Sequence, residues 1–180
     1  MPVPIYLHPF QDPDHYLGWG PKAVNSHPAS LSLHWVAPTI GRARFKYIST
    51  MDPADNTFAG YTGDKDRIFV MGHCSAGSSR LTTETATGGT ASRCQAWELA
   101  DIFLQHGLPA GSQARICIHA CDSASMGPAA APSFAAQFKA EMQGKNYPNI
   151  RVRGFTHAVG IYFGIRWAGI APAALYQRDI

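Results

Sequence analysis

The chain has 180 residues, 46% of them hydrophobic and 15% charged, with a formal net charge of +3. This composition excludes general disorder, and the length fits one domain over residues 1–180 better than two. The net charge is small and the basic residues are scattered, which excludes a nucleic-acid-binding arm and a polybasic membrane patch. Nucleic acid is therefore not an expected partner.

The amino-terminal stretch and the cysteines bear on the compartment. Residues 1–11 (MPVPIYLHPFQ) show no basic segment followed by an apolar core, and no apolar run approaches the ~18 residues of a membrane span. We expect a soluble chain with no signal peptide and no membrane span. Cys74, Cys94, Cys117 and Cys121 lack the dense spacing of a disulfide scaffold, which favours reduced thiols.

The first third of the chain predicts few elements. Residues 1–30, rich in Pro, His and Gly, indicate an irregular lead-in with one short strand at 4–7. Polar and apolar residues alternate over 30–38 and 42–50, which predicts two strands joined as a hairpin. Residues 51–66 consist largely of turn-forming residues and predict a loop.

The middle of the chain predicts a buried strand, a loop and a helix. The continuous apolar run at 67–72 (RIFVMG) is typical of a strand buried on both faces of a parallel sheet. Residues 78–92 (SSRLTTETATGGTAS) show no periodicity and predict a polar loop. Apolar residues at helical spacing then predict a helix over 93–106, with Ser92 as its N-cap and Gly107 at its end.

The remaining part repeats this order. A second buried strand is predicted at 114–121, an amphipathic helix between Pro132 and Gly144, and a third strand at 150–160. Strands alternating with helices predict an α/β fold with a doubly wound, mostly parallel sheet and right-handed crossovers.

Both buried strands stop at residues that can carry chemistry. The first runs into His73 (VMGHCSAG) and the second into Cys121 (CIHACDSAS). In an open parallel sheet, reactive groups collect beyond the carboxyl ends of the strands, so these two side chains are expected at one edge. A histidine beside a cysteine can draw off the thiol proton and generate the nucleophilic thiolate. The pair therefore predicts a Cys-His dyad.

The motifs VMGH, CIHAC and VRGFTHAVG, spread over residues 65–160, resemble the caspase-like cysteine peptidases, nearest to the self-processing domains of bacterial toxins. The resemblance implies a caspase-like three-layer sandwich with a mostly parallel central sheet flanked by helices, and 65–160 as its catalytic core. It implies a cysteine endopeptidase in which His73 is the general acid/base and Cys121 the nucleophile, acting without a cofactor on a protein or peptide substrate.

The resemblance also suggests the surroundings of the site. Backbone amides near Cys74 and at Cys121 would form the oxyanion hole, although the family usually has Gly where this chain has Cys74. Asp122 is expected to orient His73 or to cap a turn, and His157 to contact substrate. Some toxin-domain relatives respond to inositol hexakisphosphate, which makes an anionic activator a further expectation. A toxin or effector would be cytoplasmic, or exported by a signal-independent route into a target cell.

Three other hypotheses remain open. The same fold could serve as a pseudoenzyme or interaction module in which Cys121 is inert. The stretch GHCSA partly matches the G-x-S-x-G turn of hydrolases, which would make Cys74 the nucleophile of an acyl hydrolase. Cys117, His119 and Cys121 alternate along one strand and suggest zinc, but three same-face positions on one strand are poorly directed at a tetrahedral ion, so no metal is expected.

Overall fold

A computed structural model describes residues 5–9, 44–48, 51–84, 90–157, 159–162, 165–168, 171–172 and 177–180. Its helices are α1 (Ala96–Gln105) and α2 (Phe134–Gly144), with a short 3-10 turn at Pro128–Ala130. The strands are β1 (Ile5–His8), β2 (Arg44–Tyr47), β3 (Arg67–Met71), β4 (Arg80–Glu84), β5 (Thr90–Gln95), β6 (Arg115–His119), β7 (Arg151–Phe155), β8 (Val159–Tyr162), β9 (Ile165–Ala168), β10 (Ala171–Pro172) and β11 (Gln177–Asp179).

A six-stranded sheet organises these elements in the order β11-β7-β6-β3-β1-β2. Strands β2, β1, β3, β6 and β7 run parallel, and β11 pairs antiparallel with β7. Helix α1 connects β3 to β6, and α2 connects β6 to β7. The prediction of an α/β fold with a mostly parallel sheet is therefore confirmed.

The core lies between this sheet and the two helices. Inner residues of α1 and α2 share one buried cluster with alternate residues of the central strands, among them Ile68, Val70, Ile116, Ile118 and Val152. The helices also contact each other, because the rings of Phe103 and Phe138 lie 5.7 Å apart and Lys145 pairs with Asp101 at 2.7 Å. Both helices thus cover the same face of the sheet. Helices on both faces, as a three-layer sandwich requires, stay a prediction.

The helix ends differ from the predicted ones at a few positions. Helix α1 begins at Ala96, not at Arg93, because Arg93 and Cys94 belong to β5; Ser92 is therefore not its N-cap. The Glu98 carboxylate instead accepts the Gln95 N–H at 2.6 Å and satisfies a free donor at the helix start. Within the described residues, no helix is long and apolar enough to cross a membrane.

Three predicted segments differ from the structure. The loop prediction at 78–92 is wrong, because this segment contains β4 and the start of β5, which pair antiparallel as a hairpin; its threonines are β-branched and suit strands. The strand predicted at 42–50 is present but shorter, since β2 spans Arg44–Tyr47; it pairs parallel with β1, and the other strand of the predicted hairpin is the one at 30–38. The strand at 150–160 ends at Phe155, since the chain bends at Thr156. The strand predicted at 30–38 lies outside the described residues.

A buried histidine fastens the loop before β3 to the end of α1. His106 is 1% exposed, and its Nδ1 lies 2.8 Å from Asp55 Oδ1. Thr57 donates to the same carboxylate through its hydroxyl at 2.7 Å and its N–H at 2.8 Å. Partial burial alone would raise the pKa of Asp55, but these hydrogen bonds outweigh it and lower the pKa from its ordinary 3.8 to about 2.

Asp55→Asn is expected to lower the free energy of unfolding at neutral pH by about 1 kcal/mol, a low figure because the carboxylate is half exposed and screened. Since the folded pKa of Asp55 is depressed, its contribution is present above about pH 4 and is lost as the pH falls through about 2. Urea unfolding of both proteins between pH 7 and pH 2 tests this. A difference that stays constant down to pH 2 would show that Asp55 does not act through its charge.

Candidate functional site

The pairing of β3 with β6 places both predicted dyad residues at the carboxyl edge of the sheet. Met71 pairs with His119 at the end of the two strands. His73 lies two residues after Met71, and Cys121 lies two residues after His119. Neighbouring strands lie about 4.8 Å apart, so the chain leaves the same edge of the sheet at both residues. The structure thus brings His73 and Cys121 to one edge, after two paired strands.

The β4–β5 hairpin holds the backbone of His73. The His73 N–H donates to the Thr82 carbonyl at 2.8 Å, and the Thr82 N–H donates back to the His73 carbonyl at 2.9 Å. This reciprocal pair turns the chain out of β3 and fixes the residue that bears the imidazole. The side chain of His73 is half-buried. A segment predicted to be an irregular loop is therefore the support of the histidine.

A buried serine holds the turn that begins at Cys121. The Ser123 hydroxyl donates to the Ile118 carbonyl at 3.0 Å and accepts the Phe155 N–H at 3.1 Å. The Ala124 N–H donates to the Phe155 carbonyl at 2.8 Å. Gly154 leaves room for this turn, because a Cβ there would lie 3.0 Å from Ala124 and from the Ser123 hydroxyl. The turn carrying Cys121 is thus bound to both β6 and β7.

Two glycines join the loop after His73 to the loop after Cys121. The Gly77 N–H donates to the Ser125 carbonyl at 3.0 Å. Gly77 has φ +70, and a Cβ there would lie 2.3 Å from the Gly127 Cα. Only glycine combines this conformation with so close a backbone approach. The two halves of the candidate site therefore form one packed unit.

The partly buried environment of Cys74 disfavours the ionised form of its thiol. Burial raises the pKa of Cys74 to about 12; the hydrogen bond to the Ser75 carbonyl opposes that rise, and the nearby Asp122 and Cys121 add to it. Burial also raises the pKa of Cys94. A thiol that stays protonated at neutral pH is a poor nucleophile. Cys121 is half-buried at the sheet edge.

The other candidate residues lie at the same edge. Asp122 has φ +50, and its carboxylate accepts the Ser125 hydroxyl at 3.2 Å, so it does cap the turn after Cys121. Its N–H donates to the His157 carbonyl at 3.2 Å. His157 is exposed at the bend after β7. The five predicted residues therefore come from three neighbouring strand ends.

His119 lies on the face of the sheet opposite α1 and α2. It alternates with Ile118, which faces the helices, and its ring contacts Phe155 at 5.4 Å between centroids. Cys117 is buried, as expected of a small core residue. Among the described residues, no three His, Cys, Asp or Glu side chains converge as a metal site would require.

The amino edge of the sheet gathers arginines that are scattered in the sequence. Arg67, Arg115 and Arg151 are cross-strand partners at the start of β3, β6 and β7. Burial lowers the pKa of Arg67, and the charge of Arg115 lowers it further. Arg115 and Arg151 also line a cavity of about 250 Å³ together with Asp179. The sequence could not show this cluster, because it depends on the strand register.

No protein-family model matches the chain, and no curated protein matches it. The geometry described above is therefore the basis for a function.

Gly77→Ala is expected to lower the free energy of unfolding by about 2–4 kcal/mol, because a Cβ at positive φ would meet the backbone of Gly127. Gly60→Ala is the matched control, since a Cβ there meets nothing within 4 Å, and its effect should stay within about 0.5 kcal/mol. Urea unfolding measures both. Equal effects in the two variants would contradict the close packing of the two loops.

Proposed function

We propose that the protein is a caspase-like cysteine peptidase in which His73 and Cys121 form the catalytic dyad. The observation that carries the proposal is the register of β3 and β6, which places the two residues equally far beyond the pair Met71–His119. Nucleophile and base must come within hydrogen-bond reach, and we expect side chains that follow two paired strand ends to reach each other. The mostly parallel sheet is also what the resemblance to this family implies.

The proposed reaction uses only groups at this edge. His73 takes the proton of Cys121, and the thiolate attacks a peptide carbonyl to give a tetrahedral oxyanion. Collapse of this intermediate breaks the C–N bond, and the protonated His73 gives its proton to the leaving amine. Water then attacks the thioester, with His73 as base, and releases the carboxylic acid and the thiol.

The backbone N–H of Cys74 is suited to donate a hydrogen bond to the tetrahedral oxyanion. Within the described ranges, its N–H donates no hydrogen bond, and it directly follows the residue that bears the base. Backbone donors fixed before the reaction stabilise developing negative charge at little reorganisation cost. A cysteine in place of glycine does not remove this donor, and its side chain packs toward the core.

The two alternative functions differ in what supports them. A hydrolase with Cys74 as nucleophile is disfavoured, because burial keeps that thiol protonated. A pseudoenzyme or interaction module would have the same fold with an inert Cys121. A role as a bacterial toxin or effector, acting on itself or on a target-cell protein, belongs to the proposal through the resemblance alone.

Site-resolved alkylation tests the dyad without knowledge of the substrate. Limiting iodoacetamide at pH 6.5 should modify Cys121 at least ~10-fold faster than Cys74, whose pKa is raised, and than the buried Cys94; these two act as internal controls. His73→Ala should remove most of that advantage, and His73→Ala and Cys121→Ala should both abolish peptide cleavage. Peptide mass spectrometry gives the rates, and thermal unfolding confirms that the variants fold.

Two results would contradict the dyad. If Cys121 reacted no faster than Cys94 and was insensitive to His73→Ala, the interaction module would be favoured. If Cys74 reacted fastest, the acyl hydrolase would be favoured in spite of the burial of that thiol.

Arg67, Arg115 and Arg151 form an arginine row at the amino edge of the sheet. This row supports an anionic activator as part of the proposal. Three guanidinium groups on adjacent strands repel one another, and a bound polyanion would relieve that repulsion. Arg153 is already engaged, because it donates to both carboxylate oxygens of Asp179 at 2.7 and 3.0 Å. Arg67 donates to the Asp64 and Asp66 carbonyls at 2.8 and 3.0 Å, so Arg115 and Arg151 would be the main contacts.

Tripolyphosphate is the probe for this row. It should raise the thermal unfolding midpoint of the wild-type protein, and the rise should be lost in Arg115→Gln/Arg151→Gln because two of the three charges are gone. Arg80→Gln/Arg93→Gln, two exposed positions on the β4–β5 hairpin, is the charge-matched control and should keep most of the rise. An equal rise in all three proteins would show non-specific binding and contradict the activator site.

A further inference from the structure

The candidate site carries one formal charge besides its histidines. The loops at its edge, residues 72–79, 120–133 and 156–157, contain no Lys or Arg, and Asp122 is their one carboxylate. At the amino edge of the same strands, Arg67, Arg115 and Arg151 dominate. Within these three described loops, Asp122 is therefore the one fixed charge.

The carboxylate of Asp122 is half-buried and only partly satisfied. It accepts one hydroxyl, that of Ser125, at 3.2 Å, whereas an ionised carboxylate offers about four lone-pair positions. Among the described residues, no Lys, Arg or His pairs with it within 4 Å. Partial burial of an unpaired carboxylate costs free energy that a cation would recover.

The fold does not need this charge. A residue with φ +50 is readily Asn or Gly, and an Asn side chain would also accept the Ser125 hydroxyl. The charge at position 122 is thus not required by the turn, and a bound cation would give it a partner.

We infer that Asp122 selects a cationic side chain, Lys or Arg, in the substrate residue whose carbonyl Cys121 attacks. This inference rests on the proposed peptidase function. The side chain of that residue lies next to the reacting carbonyl, and Asp122 lies next to the nucleophile. An ammonium or guanidinium group can therefore reach the carboxylate while the carbonyl is at Cys121.

The first experiment measures the electrostatics at Cys121 without a substrate. Methanethiosulfonate reagents carrying trimethylammonium or sulfonate groups are compared by their rates of modification of Cys121, read by peptide mass spectrometry. The cationic reagent should react roughly 10-fold faster than the anionic one, and Asp122→Asn should bring the ratio near one. Asp64→Asn, an exposed acid before β3, is the charge-matched control and should leave the ratio unchanged.

The second experiment measures specificity on peptides that differ only in the residue before the cleaved bond. Lys and Arg peptides should be cleaved with higher kcat/KM than norleucine and Gln peptides. Asp122→Asn should lower kcat/KM roughly 10- to 100-fold for the cationic peptides and leave the neutral ones within a few fold. Asp122→Lys should move the preference toward peptides with Glu.

The outcomes distinguish a failure of this inference from a failure of the proposed peptidase function. If Asp122→Asn lowered kcat/KM equally for all peptides, Asp122 would be a positioning residue and the inference would be overturned. An unchanged reagent ratio in Asp122→Asn would overturn it as well. A ratio that depends on Asp122 in a protein that cleaves no peptide would refute the peptidase and leave the cation-binding role of Asp122 supported.

Discussion

The parallel pairing of β3 with β6 is the interaction on which the rest of the structure depends. Five consecutive pairs, from Arg67–Arg115 to Met71–His119, fix the register of the central strands. This register determines which residues enter the helix-covered core, since Ile68 and Ile116 face the same way. It also aligns the arginines at one edge and the strand ends bearing His73 and Cys121 at the other.

The site residues are held by backbone contacts more than by side-chain contacts. His73 is fixed by reciprocal amide hydrogen bonds to Thr82, and the loops meet where Gly77 approaches Gly127. Ser123 is the exception, since its buried hydroxyl joins β6 to β7. Such a site tolerates changes in the surrounding side chains and is sensitive to any change that displaces the backbone, which concentrates its vulnerability in a few small residues.

The parts that could be predicted from sequence are those with local signals. Continuous apolar runs marked β3 and β6, and helical spacing marked α1 and α2, because burial on both faces and burial on one stripe leave different patterns. The β4–β5 hairpin was missed, since its threonines read as polar residues. The partial exposure of Leu104 and the start of α1 at Ala96 depend on tertiary contacts. The sequence predicted that the dyad residues lie at strand ends. It did not predict the β4–β5 hairpin that holds His73 or the Ser123 hydroxyl that holds the turn at Cys121.

The register also determines which insertions and deletions the chain could accept in evolution. His73 and Cys121 are separated by a hairpin and a helix, and both follow strands whose alignment the β3–β6 pairs fix. The connection between β5 and β6 could be lengthened or shortened without moving either residue, provided that β3 and β6 keep their pairs and the hairpin keeps its hydrogen bonds to His73. A slip of one residue would instead shift His73 by about 3.3 Å along the edge and turn every side chain of one strand to the other face. Insertions between the strands should therefore be tolerated far better than a single deletion within either one.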